Sequence, residues 1–378
     1  MRELEEELSL RHLGKYLGGH SFLDDQKAIL FQQILPIVDL KKPEAVLLSG
    51  DIYDTKAPSG EAMRLFDDFL VELFHRNVHV FAISGNHDSG IRINLFHELL
   101  SASGYHTCGV YQGKVASYTL EDEYGPVNFY LVPYLNPGDV RVYHPFESGQ
   151  RPFDDALKEV LRNEEIDTSK RNVILSHQMV IGSSRSESNT CTVGQKDPEY
   201  DQVSLDTYRD FDYVALGHIH KRMSFHGNKV VYPGAILPYH NLESNERFVS
   251  YVELREKGNM TQEFIPITPK RKMVNLKGSY SEILQMESIS DYVAITLVGE
   301  VNDPQASVIL ADKFPYLISI SREREYHEED TSFSSAASLP KTPIETIEYF
   351  LESKTNHALS QEDKDLIREI FDEMEKDK

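Results

Sequence analysis

At 378 residues, with 40% hydrophobic and 26% charged side chains, the chain has the make-up of a globular protein with room for one main domain and smaller additions. Its longest apolar stretches, such as Val46-Leu47-Leu48, fall far short of the roughly 20 residues that a membrane helix needs, so no membrane role is expected. A formal net charge of −22 argues against a general basic surface for nucleic acid; a grip on DNA would have to be local, metal-assisted or supplied by a partner.

The first residues, Met1-Arg2-Glu3-Leu4-Glu5-Glu6-Glu7, are acidic and carry no apolar core, so they do not read as a secretory signal. The two cysteines, Cys108 and Cys191, are far apart and form neither a metal knuckle nor a disulfide framework, which makes a reducing, cytoplasmic setting the expectation. Ala28, Phe31 and Leu35 predict a helix over 25–35, with Pro36 as its stop. Short apolar runs predict buried strands over 44–49, 79–84, 172–176 and 213–216. Leu65, Phe66, Phe69, Leu70 and Phe74 predict a helix over 61–76. The alternation implies sheets covered by helices, with functional residues on loops at strand ends.

Residues 181–190 are Ser-rich and read as a long loop, and a domain boundary is expected near Ile267-Thr268-Pro269-Lys270. Beyond it the pattern predicts a helix over 281–286, a strand over 292–298, a helix over 304–314 and a strand over 316–319, a small α+β unit. Residues 331–340 read as a flexible linker. Two amphipathic helices end the chain, one with Ile344, Ile347, Phe350 and Leu351 on its apolar face. The other carries Leu366, Ile367, Ile370, Phe371 and Met374, behind a capping box of Ser360 and Asp363. Such faces serve either a hairpin packed on its own core or a partner protein.

Five polar stretches follow apolar runs: His12 in R-H-L-G-K, Asp51 in S-G-D-I-Y-D, Asn86-His87 in S-G-N-H-D, His177 in L-S-H-Q, and His218/His220 in G-H-I-H. Taken singly, Asp51 could be a turn residue and His177 a satisfied core histidine. His218 and His220 are stronger, because an i, i+2 spacing places both on one face of an extended segment. Asp88 is a candidate orienter of a histidine. Together the set supplies the oxygens and imidazoles with which two divalent ions, manganese among the plausible ones, activate water against a phosphodiester.

The five segments resemble those of the calcineurin-like metallophosphoesterases. Within them, H-L-G-K-Y-L-G-G-H-S-F-L-D-D-Q, G-D-I-Y-D, S-G-N-H-D-S-G, D-Y-V-A-L-G-H-I-H-K and Y-P-G-A-I-L-P-Y are similar to segments of the bacterial SbcD nuclease subunits. So are the later D-Y-V-A-I-T-L and F-P-Y-L-I-S-I. The resemblance implies an α/β (α+β) metallophosphoesterase fold: a two-sheet β-sandwich core flanked by helices, a small α+β capping domain and C-terminal helices. The implied divisions are a nuclease domain over 1–268, a capping domain over 271–326, a linker over 327–342 and a helical partner-binding segment over 343–378. It also implies a Mn²⁺-dependent DNA exonuclease and endonuclease, active in recombination, repair and replication. That enzyme works as a homodimer within a heterotetramer with SbcC, a coiled-coil ATPase. By the same resemblance, His12, Asp51 and His220 hold one ion, and Asp51, Asn86, His177 and His218 the other. His87 assists cleavage by protonating the leaving oxygen, with Asp54 near the site.

One position departs from the family. Its first motif reads Asp-x-His, whereas Leu10 stands two residues before His12, and residues 1–9 lack the expected apolar strand pattern. A leucine cannot ligate, so the first ion and its strand are in question. Either the site is altered, or the amino terminus departs from the natural gene. The competing functions are a catalytically weakened scaffold subunit and a general metallophosphatase or cyclic-nucleotide phosphodiesterase.

Overall fold

The computed structural model describes the backbone of residues 6–8 and, in full, residues 12–180, 200–323, 360–361 and 363–365. The chain forms two units, Met1–Glu323 and Arg324–Lys378. Leu10, Cys191, the Ser-rich loop, the expected linker and most of the two terminal helices lie outside the described residues.

The first unit is built on two six-stranded sheets. One runs, in spatial order, Met260–Ile267, Arg247–Leu254, Glu6–Leu8, Ala45–Leu48, His79–Ile83 and Tyr105–Cys108. The other runs Met223–Phe225, Val230–Tyr232, Tyr213–Leu216, Arg171–Ser176, Gly125–Val132 and Ala116–Asp122. The strand doubted from the sequence is therefore present: Glu6–Leu8 pairs parallel with Ala45–Leu48 and antiparallel with Arg247–Leu254. Its neighbours supply the ladder bonds that its own composition does not advertise.

Successive side chains of a strand point to opposite faces, and this period of two sorts the core into layers. Leu47, Phe81 and Ile83 of the first sheet meet Phe129, Leu131 and Leu175 of the second, with Phe81 stacked on Phe129 at 4.1 Å. The alternate residues Val46, Leu48, Val80 and Ala82 face outward to Phe66 and Phe69 of the helix Gly60–His75. Ile174, Val214 and Leu216 face the other way, towards Leu157 and Val160 of the helix Pro152–Arg162. Two sheets, each covered by helices, match the expected sandwich.

The helix that Pro36 was expected to stop continues through it. Leu23–Ile29 is α-helical, Leu30–Ile34 widens into a π-turn, and a further α-helix, Leu35–Lys41, carries Pro36 in its first turn. There a missing N–H costs little and the wide turn removes the ring's clash. The stop comes instead at Lys42, in the left-handed region at φ 51°.

Residues 273–323 form a three-stranded parallel sheet, Met273–Gly278, Tyr292–Val298 and Leu317–Glu323, with the helices Tyr280–Gln285 and Ala306–Lys313. In the second unit, Ser360 and Asp363 form the expected capping box: Asp363 N donates to Ser360 Oγ at 3.2 Å, and Ser360 N donates to Asp363 Oδ2 at 3.0 Å. Among the described residues, no helix is long and apolar enough to cross a membrane.

Candidate metal centre

The parallel strands Ala45–Leu48 and His79–Ile83 deliver Asp51 and Asn86 from their carboxyl ends, and Arg171–Ser176 and Tyr213–Leu216 deliver His177 and His218 in the same way. Ligand positions at strand carboxyl ends are the rule in open α/β sheets. His12 is placed by a second device. Its N–H donates to the Asp51 carbonyl at 2.8 Å, Leu13 N donates to Ile52 O at 2.9 Å, and Asp54 N donates to Leu13 O at 3.2 Å. The loop that carries Asp51 thus holds His12 directly.

The backbone at the site is strained and crowded. His12, Asp51 and His218 sit in the left-handed region at φ 62°, 54° and 88°, which costs non-glycine residues about 1–3 kcal/mol each. Gly217 admits no side chain, because a Cβ there would collide with the Ser49 carbonyl and His177 Nδ1. A Cβ at Gly85 would strike the Asp51 carboxylate. The left-handed turn at His218 also overturns the expected shared face for His218 and His220. His218 Nδ1 lies 3.1 Å from Asn86 Oδ1, whereas His220 Nε2 lies 2.9 Å from His12 Nε2, so the two rings join different groups.

Two donor groups are compact enough to share one ion each: Asp51, His177 and His218, and His12, Asp54 and His87. In the first, His177 Nδ1 donates to the Ser49 carbonyl at 2.7 Å, which fixes the proton on that nitrogen. The neutral ring then turns a lone pair at Nε2 towards Asp51 Oδ2, at 3.1 Å, and Asn86 Oδ1, at 3.2 Å. Three acceptors converge with no proton between them, an arrangement that a cation satisfies. Burial by itself would raise the Asp51 carboxyl; when the facing rings are protonated, His177 first and then His12 and His87, they hold it well below the usual range.

Around His12 the same logic recurs. His220 Nδ1 donates to Glu243 Oε1 at 2.8 Å, so its Nε2 lone pair faces His12 Nε2. His12 Nδ1 is buried with no hydrogen-bond partner, 3.2 Å from Asp54 Oδ1, and burial depresses the ring to about 4. Asp54 also receives Lys15 Nζ at 2.9 Å, and His87 Nδ1 donates to the Asp54 carbonyl at 3.1 Å. The donor set therefore fits divalent ions at both groups.

Asp88 plays a different part from the expected one. Its carboxylate accepts the backbone N–H groups of Ile52, Tyr53 and Gly85 at 2.8–3.0 Å, so it ties the Asp51 loop to the Asn86 loop and orients no histidine. Burial, then the Asp51 charge, pushes it up to about 7 against those three bonds. Sequence reading missed Glu243 altogether. Burial opposes its ionisation, yet His220 and Arg247 together hold it at about 2. It also missed Gln26, whose amide donates to His12 O at 2.7 Å and to Tyr239 Oη at 2.9 Å.

A profile of the calcineurin-like phosphoesterase family matches residues 20–222. The chain belongs to this family. The matched stretch holds Asp51, Asn86, His87, His177, His218 and His220 and begins after His12. Among curated proteins, the chain is similar to the SbcD subunit of the nuclease SbcCD from Staphylococcus epidermidis, 27% identical over 374 residues that cover 95% of this chain and 96% of that protein. Among solved structures it is similar to a dimetal phosphatase from Danio rerio, with a TM-score of 0.40 and 13% identity, covering 70% of this chain and 97% of the other.

Proposed function

We propose that the protein is the nuclease subunit of an SbcCD-type complex, hydrolysing DNA phosphodiester bonds with two divalent ions, Mn²⁺ foremost. The observation that carries the metal reading is the convergence of metal-ligating atoms: His177 Nε2, Asp51 Oδ2 and Asn86 Oδ1 in one group, and His12 Nε2 with His220 Nε2 2.9 Å away beside the other. Asp51 is tied to both, its Oδ2 3.1 Å from His177 Nε2 and its carbonyl accepting the His12 N–H at 2.8 Å. The nuclease reading rests on the curated relative, whose likeness extends over nearly the whole of both chains.

Ions held there supply a Lewis acid for the phosphoryl oxygen and acidify an attacking water. The chain's own residues do the rest. Asp54 faces two rings at once, its carboxylate 3.2 Å from His12 Nδ1 and its carbonyl accepting from His87 Nδ1. With Nδ1 held, His87 presents Nε2 for proton transfer, and as an imidazolium it gives that proton to the departing oxygen.

The division into a nuclease domain over 1–268, a capping domain over 271–326, a linker over 327–342 and a partner-binding segment over 343–378 belongs to the same reading. So do a cytoplasmic location, an SbcC-type ATPase partner and a homodimer. Ile91, Leu95, Phe96 and Leu99 expose 57–78% of their surface just after the Asn86-His87 loop, an apolar face consistent with self-association.

A substrate comparison tests the function. Wild-type protein with Mn²⁺ is expected to degrade labelled linear duplex, faster with the ATPase, and to hydrolyse p-nitrophenyl phosphate poorly. The reverse preference would establish a general phosphatase, and inertness on both a scaffold.

A further inference from the structure

The two donor groups differ in what supports them. His177 is anchored from within the sandwich, by Ser49. His12 and His220 are anchored by two stretches of chain, 18–26 and 239–247, on which the segment 271–323 is seated.

On the first stretch, Asp25 is fully buried and accepts Arg271 Nη1 at 2.5 Å and Tyr292 Oη at 2.9 Å. Arg271 in turn donates to Tyr316 Oη at 2.7 Å, and Phe22 stacks on Tyr292 at 4.3 Å. The next residue, Gln26, holds the His12 carbonyl and Tyr239. On the second stretch, the Asn245 amide exchanges two hydrogen bonds with the Met273 backbone, at 2.9 and 2.7 Å, and Asn275 donates to Asn241 O at 2.6 Å. Between those contacts lie Tyr239, edge-on to both the His12 and His220 rings, and Glu243, the acceptor for His220.

We propose that segment 271–323 positions one metal group and not the other, with Arg271 on the segment and Asn245 on the stretch that seats it as the positioning residues. Resting on the metal reading above, the inference is that contacts at Asp25 and Met273 set Gln26, Tyr239 and Glu243, and through them the His12 and His220 imidazoles. A buried network transmits such a constraint because its members have few alternative partners. Loosening the seat releases the ion between His12 and His220 and spares the one among Asp51, Asn86, His177 and His218.

The experiment is Mn²⁺ titration of the full chain by calorimetry, with electron paramagnetic resonance to separate coupled ion pairs from single ions. Arg271→Gln and Asn245→Ala are the variants, and Arg271→Lys is the conservative control. In wild type, two ions and a spin-coupled signal are expected. Each variant should bind one ion at least tenfold more weakly, keep the other within about twofold, and lose the coupled signal, with Arg271→Lys intermediate. If Arg271→Gln does not fold, Asn245→Ala on the other stretch gives the same reading. Two unchanged ions in the folded variants, or equal weakening of both, would overturn the coupling alone. A wild type that takes only one ion leaves nothing for the segment to govern and overturns it as well. A wild type that binds none would sink the metal reading itself.

Discussion

His12 and His220 face each other through Nε2 atoms 2.9 Å apart, and the outer nitrogen of each ring is turned to a carboxylate, Asp54 and Glu243 respectively. Two carboxylates behind two facing imidazoles raise ring basicity and fix orientation, which is what ligating histidines require. Glu243→Gln keeps the size of the side chain and removes the charge. It should weaken the ion at His12 and His220 by about 10–100-fold with little effect on the other ion, as read by Mn²⁺ calorimetry.

His218 holds a left-handed backbone at φ 88° and adds a donor to a group already rich in lone pairs. His218→Gly relieves that strain. In metal-free protein it should raise stability by about 1 kcal/mol by thermal melting, while Mn²⁺ no longer stabilises the fold as it does in wild type.

At Gly217 the opposite holds, since any Cβ meets the Ser49 carbonyl and the His177 ring. Gly217→Ala should lower stability by roughly 2–4 kcal/mol and cut activity, whereas Gly258, at a surface turn with open space around it, should cost only its φ penalty of about 1 kcal/mol when replaced by Ala.

Away from the metal groups, His106 stacks on Phe81, lies 3.3 Å from His79 and accepts no proton readily, burial and then His79 holding it at about 4. The unfolded chain takes up that proton near 6.5, so between pH 6.5 and 4 the unfolded state binds more protons and the fold loses stability as pH falls. Urea melts at pH 7 and pH 5 should differ, with about 1–3 kcal/mol of the difference coming from this ring, and His106→Gln should remove that share.

Leu10 lies outside the described residues, yet its chemistry is plain: it offers no ligand atom. Leu10→Asp should tighten the weaker Mn²⁺ site at least tenfold and raise nuclease activity, both measured on the full chain.

Much of the site was legible because its residues follow strands that are buried on both faces. An apolar run such as Tyr213–Leu216, ended by Gly217 and a histidine, advertises both the strand and its cargo. What failed to show were features made by distant chain segments. Glu243 sits in a polar loop and looks like any surface acid until Arg247 and His220 close on it. Gln26 lies in a helix whose partners come from residues 12 and 239. The shared face assigned to His218 and His220 assumed extended backbone, which the φ of His218 denies. The strand Glu6–Leu8 was hidden because its place is set by two neighbours and not by its own apolar content.

Anomalous diffraction at the manganese edge, from crystals soaked in saturating Mn²⁺, tests the central claim most directly. Two peaks are predicted, one between His12 Nε2 and His220 Nε2 and one among Asp51, Asn86, His177 and His218. No peak at these donors, or ions bound elsewhere while these rings keep their metal-free contacts, would contradict the two-ion account.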